Sequence, residues 1–190
     1  MIQIRPLATV DPVAFERIMS GYVSNEKYVV TKQEAPERTT ITLELVRLDT
    51  PYVKRWPLTG EDWERYAAIM PLGYSLGAFD DALLVGIALC SPHEWNKTLW
   101  VDEFHIAESH QRRGVGRQLM AQVAERGCAG GYRILGLEAQ NTNVPAIRFY
   151  RAVGFTLDGV DVSLYTNNDL LPGREVAVFM KRPLEATHDK

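Results

Sequence analysis

The sequence predicts one α/β domain built on a mixed β-sheet, and three observations carry this prediction. The chain has 190 residues, the usual size of a single domain with one sizeable core. Apolar residues make up 46% of it, so the composition excludes a disordered or collagen-like chain. Apolar segments of period two and of helical period follow one another, which indicates antiparallel hairpins joined to crossover helices. We expect one domain over 1–182 and a short tail over 183–190.

The first half of the chain carries clear helix-start signals. Asp11 and Pro12 have the form of an N-cap followed by proline at the first helical position, and Thr59 can cap a second helix. The elements predicted here are an opening strand, a helix over 12–22, a strand over 39–48, a helix over 59–70, and strands over 74–79 and 82–90.

Two strand patterns of this half lead to more specific expectations. In the strand over 39–48, the residues Ile41, Leu43 and Leu45 alternate with polar ones, so we expect them on a half-buried face. Asp80-Asp81 separates two apolar runs and predicts a tight hairpin that closes at Ser91-Pro92.

The second half alternates strand and helix regularly. Its predicted elements are a strand over 98–106, a helix over 114–127, a strand over 132–139, a helix over 145–153 that Gly154 ends, and closing strands over 155–164 and 175–181. Ligands of α/β sheets bind where strands end and helices begin, so we expect a ligand-binding site at the loop after Ile106.

Composition limits the partners and the compartment. With 21 Lys and Arg against 24 Asp and Glu, the net charge of −3 argues against nonspecific nucleic-acid binding and favours a neutral or cationic partner. The first residues do not have the pattern of a signal peptide, and no apolar run is long enough to span a membrane. We therefore expect a cytoplasmic protein without a membrane partner. The two cysteines are isolated, and the histidines lack the HExxH or CxxC context of a metal site.

The loop after Ile106 has the character of a diphosphate-binding loop. Glycines at 114 and 116 let the backbone approach an anion, and the helix that begins here presents unpaired N–H groups to it. Arg112, Arg113 and Arg117 add side-chain cations. The alternative is a plain strand-to-helix turn with exposed basic residues, and the loop alone does not decide between them.

A second motif follows about 25 residues later and decides the question. Asn143, Ala146, Tyr150 and Gly154 stand in the spacing N-x-x-A-x-x-x-Y-x-x-x-G-F. Together with the Q-x-x-G-x-G loop of Gln111, Gly114 and Gly116, this chain resembles the GNAT superfamily of acetyl-CoA-dependent N-acetyltransferases. The resemblance implies a splayed central sheet flanked by helices.

Four further strings are similar to the streptothricin acetyltransferases, enzymes that acetylate the β-lysine amine of that antibiotic. They lie at 52–55, 99–106, 140–147 and 159–165. The resemblance to this subfamily implies a small cationic amine as the acceptor, and acetyl-CoA as the cosubstrate, without a metal.

The resemblance also implies which residues hold acetyl-CoA. The strand end would bind pantetheine through its main chain, the loop would bind the pyrophosphate, and the second motif would meet the pantetheine again. The residues are Phe104, His105, Ile106, Gln111, Arg112, Arg113, Gly114, Val115, Gly116, Arg117, Asn143, Ala146 and Tyr150. For Asn143 a helix N-cap is an alternative that is compatible with ligand contact.

Amine attack on a thioester needs a neutral amine, a polarised carbonyl and a protonated leaving thiolate. Tyr150 matches the general acid of the family, and its alternative is a helix tyrosine that packs on the core. Glu138 and Glu103 are the candidate bases, and each can equally be a solvated or ion-paired strand residue. His105 shares a strand face with Glu103 and favours a packed or hydrogen-bonded role.

A polycationic acceptor would need carboxylates along its groove, and aromatic side chains could form the apolar walls. The candidates are the carboxylates Glu44, Asp81, Asp102, Glu103 and Glu138, and the indoles Trp56, Trp63, Trp95 and Trp100. Two other functions stay open at this point: acetylation of a protein N-terminus or lysine, and a CoA-binding module without catalysis. The sequence also leaves a homodimer open.

Overall fold

The computed structural model describes residues 1–19, 21–56 and 59–184. In chain order the elements are β1 (Ile2–Pro6), α1 (Pro12–Ile18), β2 (Tyr22–Ala35), β3 (Arg38–Lys54), α2 (Gly60–Ile69), β4 (Leu76–Asp80), β5 (Leu83–His93), β6 (Thr98–Ile106), α3 (Val115–Ala129), β7 (Ile134–Gln140), α4 (Val144–Ala152), β8 (Thr156–Asp161) and β9 (Ala177–Pro183). Most of the predicted tail lies outside the described residues.

The strands form two sheets. The large one has the order β1-β4-β5-β6-β7-β9-β8, and β2 pairs with β3 in a separate antiparallel ribbon. In the large sheet β6 and β7 are parallel, whereas β1–β4, β4–β5, β5–β6 and β8–β9 are antiparallel. A parallel pair requires a crossover, and α3 supplies it between β6 and β7. The predicted mixed α/β fold is confirmed.

The chain divides into two compact units. The first comprises the described residues of Met1–Ser20, Arg55–Leu137 and Arg182–Lys190, and the second comprises Gly21–Lys54 and Glu138–Lys181. No helix within the described ranges combines the length and the apolar character that crossing a bilayer requires.

The core of the first unit is built from α1, α2 and the strands beneath them. Phe15 is fully buried, and its ring lies 5.2 Å from Tyr66 and 6.0 Å from Trp63. Burying one such side chain contributes about 1.5–3 kcal/mol. Both helices begin as the sequence predicts, because Asp11 accepts a hydrogen bond from the N–H of Ala14 and Thr59 forms a reciprocal capping box.

Within the second unit, the buried side chain of Asn141 connects three chain segments. Asn141, directly after β7, donates from Nδ2 to the carbonyl of Tyr28 on β2 and accepts at Oδ1 from the N–H of Val176. The backbone groups of Asn141 bond to Tyr28 and Val176 as well. Asn141 thereby fixes three distant chain segments to one another.

Several predicted bounds are wrong. The helix predicted over 12–22 ends at Ile18, because Met19 has left helical geometry and caps the last turn. The structure adds β2, which the sequence did not predict, and β3 is longer than the strand predicted over 39–48. On the face expected to be half-buried, Leu43 is half-buried as predicted, whereas Ile41 and Leu45 are 37% and 39% exposed.

Three further bounds differ. The hairpin does not close at Ser91-Pro92, since β5 pairs with β6 through His93. The first closing strand ends at Asp161 rather than 164, and the second begins at Ala177 rather than 175. The residues between β8 and β9 therefore form a longer connection than the sequence indicated.

Candidate active site

The glycine-containing loop links the end of β6 to α3 in the first unit. Gln111 donates from Nε2 to the carbonyl of Ile106 over 3.0 Å, which ties the loop to the strand end. Arg112 and Gly114 have positive φ angles of 58° and 84°. Such a turn aims successive backbone N–H groups into one concavity.

The start of α3 completes this anion-binding geometry. Gly114 is its N-cap and no side chain of the described residues caps the first turn, so the backbone N–H groups there keep the partial positive charge of a helix N-terminus. A Cβ atom at Gly114 would meet no atom of residues 1–19, 21–56 or 59–184 within 4 Å, which leaves room beside the loop. Arg112, Arg113 and Arg117 are exposed around it, whereas Val115 is buried in the core. These residues fit a pyrophosphate.

Strand β6 offers main-chain groups next to this loop. Its parallel ladder with β7 runs from Thr98 to Val101 in the described structure, and β6 continues for five more residues to Ile106. The segment with Phe104, His105 and Ile106 pairs with β5 on its other side. One edge of this segment can therefore receive an extended ligand in strand-like fashion.

A polar cluster surrounds Glu103 on β6. Its Oε1 accepts a hydrogen bond from the hydroxyl of Tyr66 on α2 at 2.5 Å, and Arg65 lies 3.5 Å from the same oxygen. Its Oε2 lies 2.9 Å from Nε2 of His105, whose ring meets Trp56 edge-on at 5.7 Å. Burial and the Glu103 charge raise the pKa of Tyr66 far above its ordinary value, so its hydroxyl stays a donor.

Asp102 differs from its neighbour. The β5–β6 register shifts so that Leu89 faces Glu103 and Cys90 faces Val101, which makes Asp102 the extra residue of a β-bulge. Burial raises the pKa of the Asp102 carboxyl, and a hydrogen bond from Ser91 only partly offsets this. Its Oδ2 is buried without a hydrogen-bond partner among the described residues.

The second motif lies on α4 in the second unit. Asn143 caps the helix, since its Oδ1 accepts from the N–H of Ala146 at 3.3 Å, and the predicted N-cap is present. Its Nδ2 is the side-chain donor that this cap leaves for a ligand carbonyl. Tyr150 is 8% exposed, and its ring packs at 5.5 Å from Phe149 and 5.7 Å from Phe155.

Glu138, on β7, is held by a tyrosine that the sequence analysis did not single out. The hydroxyl of Tyr165 donates to Oε1 of Glu138 in a short hydrogen bond. Tyr165 lies in the connection between β8 and β9, where Asp169 accepts hydrogen bonds from the backbone N–H groups of Tyr165 and Thr166.

A second carboxylate of the same unit, Glu175, was also missed. It accepts hydrogen bonds from the hydroxyls of Tyr22 and Tyr52, both at 3.1 Å, and of Thr142 at 2.8 Å, and it forms an ion pair with Lys54. Burial opposes ionisation of Glu175, but the bonds from Lys54 and Thr142 outweigh it and lower the pKa of the carboxyl. Three of the four subfamily-like strings contribute to the Glu138 and Glu175 clusters: 52–55, 140–147 and 159–165.

The remaining acceptor candidates have other surroundings. Within the first unit, Asp81 is at the β4–β5 turn, where its carboxylate is 95% exposed and lies 4.0 Å from the N-terminal ammonium. Glu44 is exposed on β3 opposite Val29. Among the indoles, Trp63 packs in the core, Trp100 stacks on His93, and Trp95 is 86% exposed.

Comparison with known proteins agrees with both motifs. The Acetyltransferase (GNAT) family matches residues 42–155, a range that contains the loop and ends at the last residue of the second motif. The streptothricin acetyltransferase of Streptomyces lavendulae is 35% identical over 143 residues, which are 73% of this chain and 74% of that protein. The chain belongs to the GNAT acetyltransferase family. It is an acetyl-CoA-dependent N-acetyltransferase, as the motifs predicted.

Solved structures show the same fold. The structure of nourseothricin acetyltransferase matches this N-acetyltransferase with a TM-score of 0.69 and 29% identity, over 97% of this chain and 99% of that one. A Bacillus anthracis protein assigned to the streptothricin acetyltransferases, solved with acetyl coenzyme A, matches with a TM-score of 0.75 and 22% identity over the same shares.

Proposed function

We propose that this N-acetyltransferase acetylates a primary amine of a small polycationic acceptor, and that the acceptor is streptothricin, modified at its β-lysine amine. The observation that carries the proposal is the 35% identity to a streptothricin acetyltransferase across about three quarters of both chains. The carboxylates of Glu103 and Glu138 are consistent with a cationic acceptor, because carboxylates complement ammonium groups, whereas the charge of Glu175 is balanced by Lys54.

The loop and β6 would hold the cosubstrate. Backbone N–H groups from Arg112 to Arg117 bind the pyrophosphate, and the main chain of Phe104 and Ile106 binds the pantetheine amides. Asn143 donates from Nδ2 to a pantetheine carbonyl. When bound, acetyl-CoA supplies the thioester carbonyl that the amine attacks.

Two proton transfers then fall to side chains of the second unit. Glu138 accepts the proton of the acceptor ammonium, directly or through one water, so that a neutral amine attacks. After attack the nitrogen releases its second proton to solvent, so that the product amide is neutral. As the C–S bond breaks, Tyr150 donates a proton from Oη to the leaving thiolate and recovers one from solvent. Glu103 of the first unit is proposed as a counter-charge to the cationic acceptor.

The test is an acceptor panel with purified enzyme and acetyl-CoA. We expect thiol release with streptothricin, together with a mass gain of one acetyl group on the β-lysine amine. Peptides with a free N-terminal alanine or an internal lysine form the comparison arm. No turnover of streptothricin at micromolar enzyme contradicts the proposal, and turnover of a peptide instead would identify a protein acetyltransferase.

A further inference from the structure

The connection between β8 and β9 has a fixed shape at Tyr165. Asp169 is 1% exposed, and its carboxylate accepts three hydrogen bonds: 2.9 Å from the N–H of Tyr165, 2.7 Å from the N–H of Thr166, and 2.6 Å from the hydroxyl of Thr166. A carboxylate that binds successive backbone N–H groups holds a turn in one conformation. The backbone at Tyr165 is therefore set before any ligand arrives.

From this position the Tyr165 side chain reaches Glu138. Its hydroxyl donates to Oε1 of Glu138, and Gln140 also bonds to the Tyr165 hydroxyl. Burial, followed by the negative charge of Glu138, raises the pKa of Tyr165 far above its ordinary value. Tyr165 thus keeps its proton across the working pH range and remains a donor to the carboxylate.

We propose that Tyr165 is a positioning residue that holds the Glu138 carboxylate ionised and oriented for proton abstraction. The proposal rests on the proposed function, in which Glu138 is the base. A hydrogen bond donated to a carboxylate favours its charged form, and it fixes the orientation of the carboxylate through the oxygen that accepts it. Tyr165 itself transfers no proton.

A second carboxylate of the same unit, Glu175, influences this pair. Glu175 acts on Tyr165 through space, but its own charge is balanced by the ion pair with Lys54. Tyr22 and Tyr52, which bond to Glu175, are kept neutral by raised pKa values that burial causes first. Removal of the Tyr165 hydroxyl therefore deletes a hydrogen bond to Glu138 without changing the formal charge around it.

The experiment compares Tyr165→Phe with the wild-type enzyme by two measurements. Carbon-13 NMR of labelled glutamate follows the Glu138 carboxyl in the free enzyme, and kcat/KM for streptothricin is recorded against pH. We expect the pKa of Glu138 and the acid limb of the profile to rise together by about one unit. At pH values below that limb the activity falls about tenfold, while the KM for the acceptor stays constant.

Two further variants sharpen the test. Tyr132→Phe is the matched control, because Tyr132 donates to Glu94 in the first unit at 2.5 Å, and it should move neither quantity. Asp169→Ala removes the carboxylate that holds the turn but keeps the Tyr165 side chain. It should shift both quantities in the same direction as Tyr165→Phe. It also provides an answer if Tyr165→Phe does not fold.

The outcomes separate this inference from the function on which it rests. An unmoved Glu138 titration in Tyr165→Phe overturns the positioning role, and so does a raised KM with an unmoved acid limb, which would make Tyr165 an acceptor contact. If the pKa of Glu138 shifts but the acid limb of the kcat/KM profile does not, Glu138 is not the base, and the inference fails with it. If the wild-type enzyme acetylates no amine, the proposed function fails while the titration remains readable.

Discussion

The surroundings of Tyr150 show the packing role that its sequence context allows and are compatible with the proposed acid role. Its ring is buried against Phe149 and Phe155, as an amphipathic helix predicts, and its position in the second motif matches the acid of the family. A phenol can pack through its ring and donate through its hydroxyl, so the two roles do not compete.

Tyr150→Phe should therefore separate chemistry from packing. Phenylalanine keeps the buried ring, so acetyl-CoA affinity measured by calorimetry should stay nearly constant. The loss of leaving-group protonation should lower kcat at least about tenfold, within the range usual for a general acid. Tyr28→Phe, at another buried tyrosine of the same unit, serves as the control. A variant with unchanged kcat would refute the acid role.

Asp102 carries an electrostatic cost that pH can reveal. Burial raises the folded-state pKa of the Asp102 carboxyl. The contribution of Asp102 to the free energy of unfolding is therefore most favourable below its unfolded pKa of about 3.9, and it is lost as pH rises through the folded-state pKa. Asp102→Asn removes the charge and should raise Tm more at pH 8 than at pH 4. Asp49→Asn, at an exposed position on β3, is the control. Equal shifts of Tm at both pH values would contradict this.

Single residues were predictable where a motif marks them. Asn143 and Tyr150 stand at fixed spacing on one helix, whereas Tyr165 and Glu175 belong to no motif and have partners far away in sequence. The Tyr52–Glu175 pair is separated by 123 positions and the Tyr22–Glu175 pair by 153. Local patterns contain no signal for such contacts, although the subfamily-like strings included Tyr52 and Tyr165.

Among the elements, β6 and its following loop were the most predictable. The strand has the predicted bounds because it is rich in β-branched and aromatic residues and follows the polar turn at Asn96-Lys97. Strand β2 was missed because its sequence mixes polar and apolar residues and a bulge between Ser24 and Glu26 interrupts the alternation. Its outer residues are exposed, so no burial pattern marks them.

The loop before α3 depends on a left-handed residue. Gly114 has φ of 84°, so any other side chain there costs about 1–2 kcal/mol in backbone strain. Gly114→Val should weaken acetyl-CoA binding in calorimetry, because the strained turn no longer aims its N–H groups at the pyrophosphate. Gly131→Val introduces the same strain, with φ of 75°, after the other end of α3. Equal affinities in the two variants would rule out the pyrophosphate role.

At the scale of the whole molecule, Asn141 matters most for the second unit. Asn141→Ala leaves the buried carbonyl of Tyr28 and the N–H of Val176 without their side-chain partner. Two such losses should lower the free energy of unfolding by about 2–5 kcal/mol in urea denaturation. Asn167→Ala, in the exposed β8–β9 connection, should change it by less than about 0.5 kcal/mol. If Asn141→Ala also lowered the free energy of unfolding by less than about 0.5 kcal/mol, the backbone hydrogen bonds of residue 141 would be sufficient to hold the three segments together.

The fold class followed from the order of patterns, but the division into two units did not. The second unit takes its residues from Gly21–Lys54 and Glu138–Lys181, with Arg55–Leu137 between them in the other unit. Periodicity describes each segment alone and carries no information about which distant segments meet.

This division has a consequence for biosynthesis. The β2–β3 ribbon leaves the ribosome well before Asn141 and β9 are made, and a two-stranded hairpin alone is marginally stable in water. At about 5–20 residues per second, the wait for its partners lasts on the order of ten seconds. During that interval Tyr28 and Val30, which the finished unit buries, remain exposed, so the nascent chain is most prone to misassociation before Asn141 emerges.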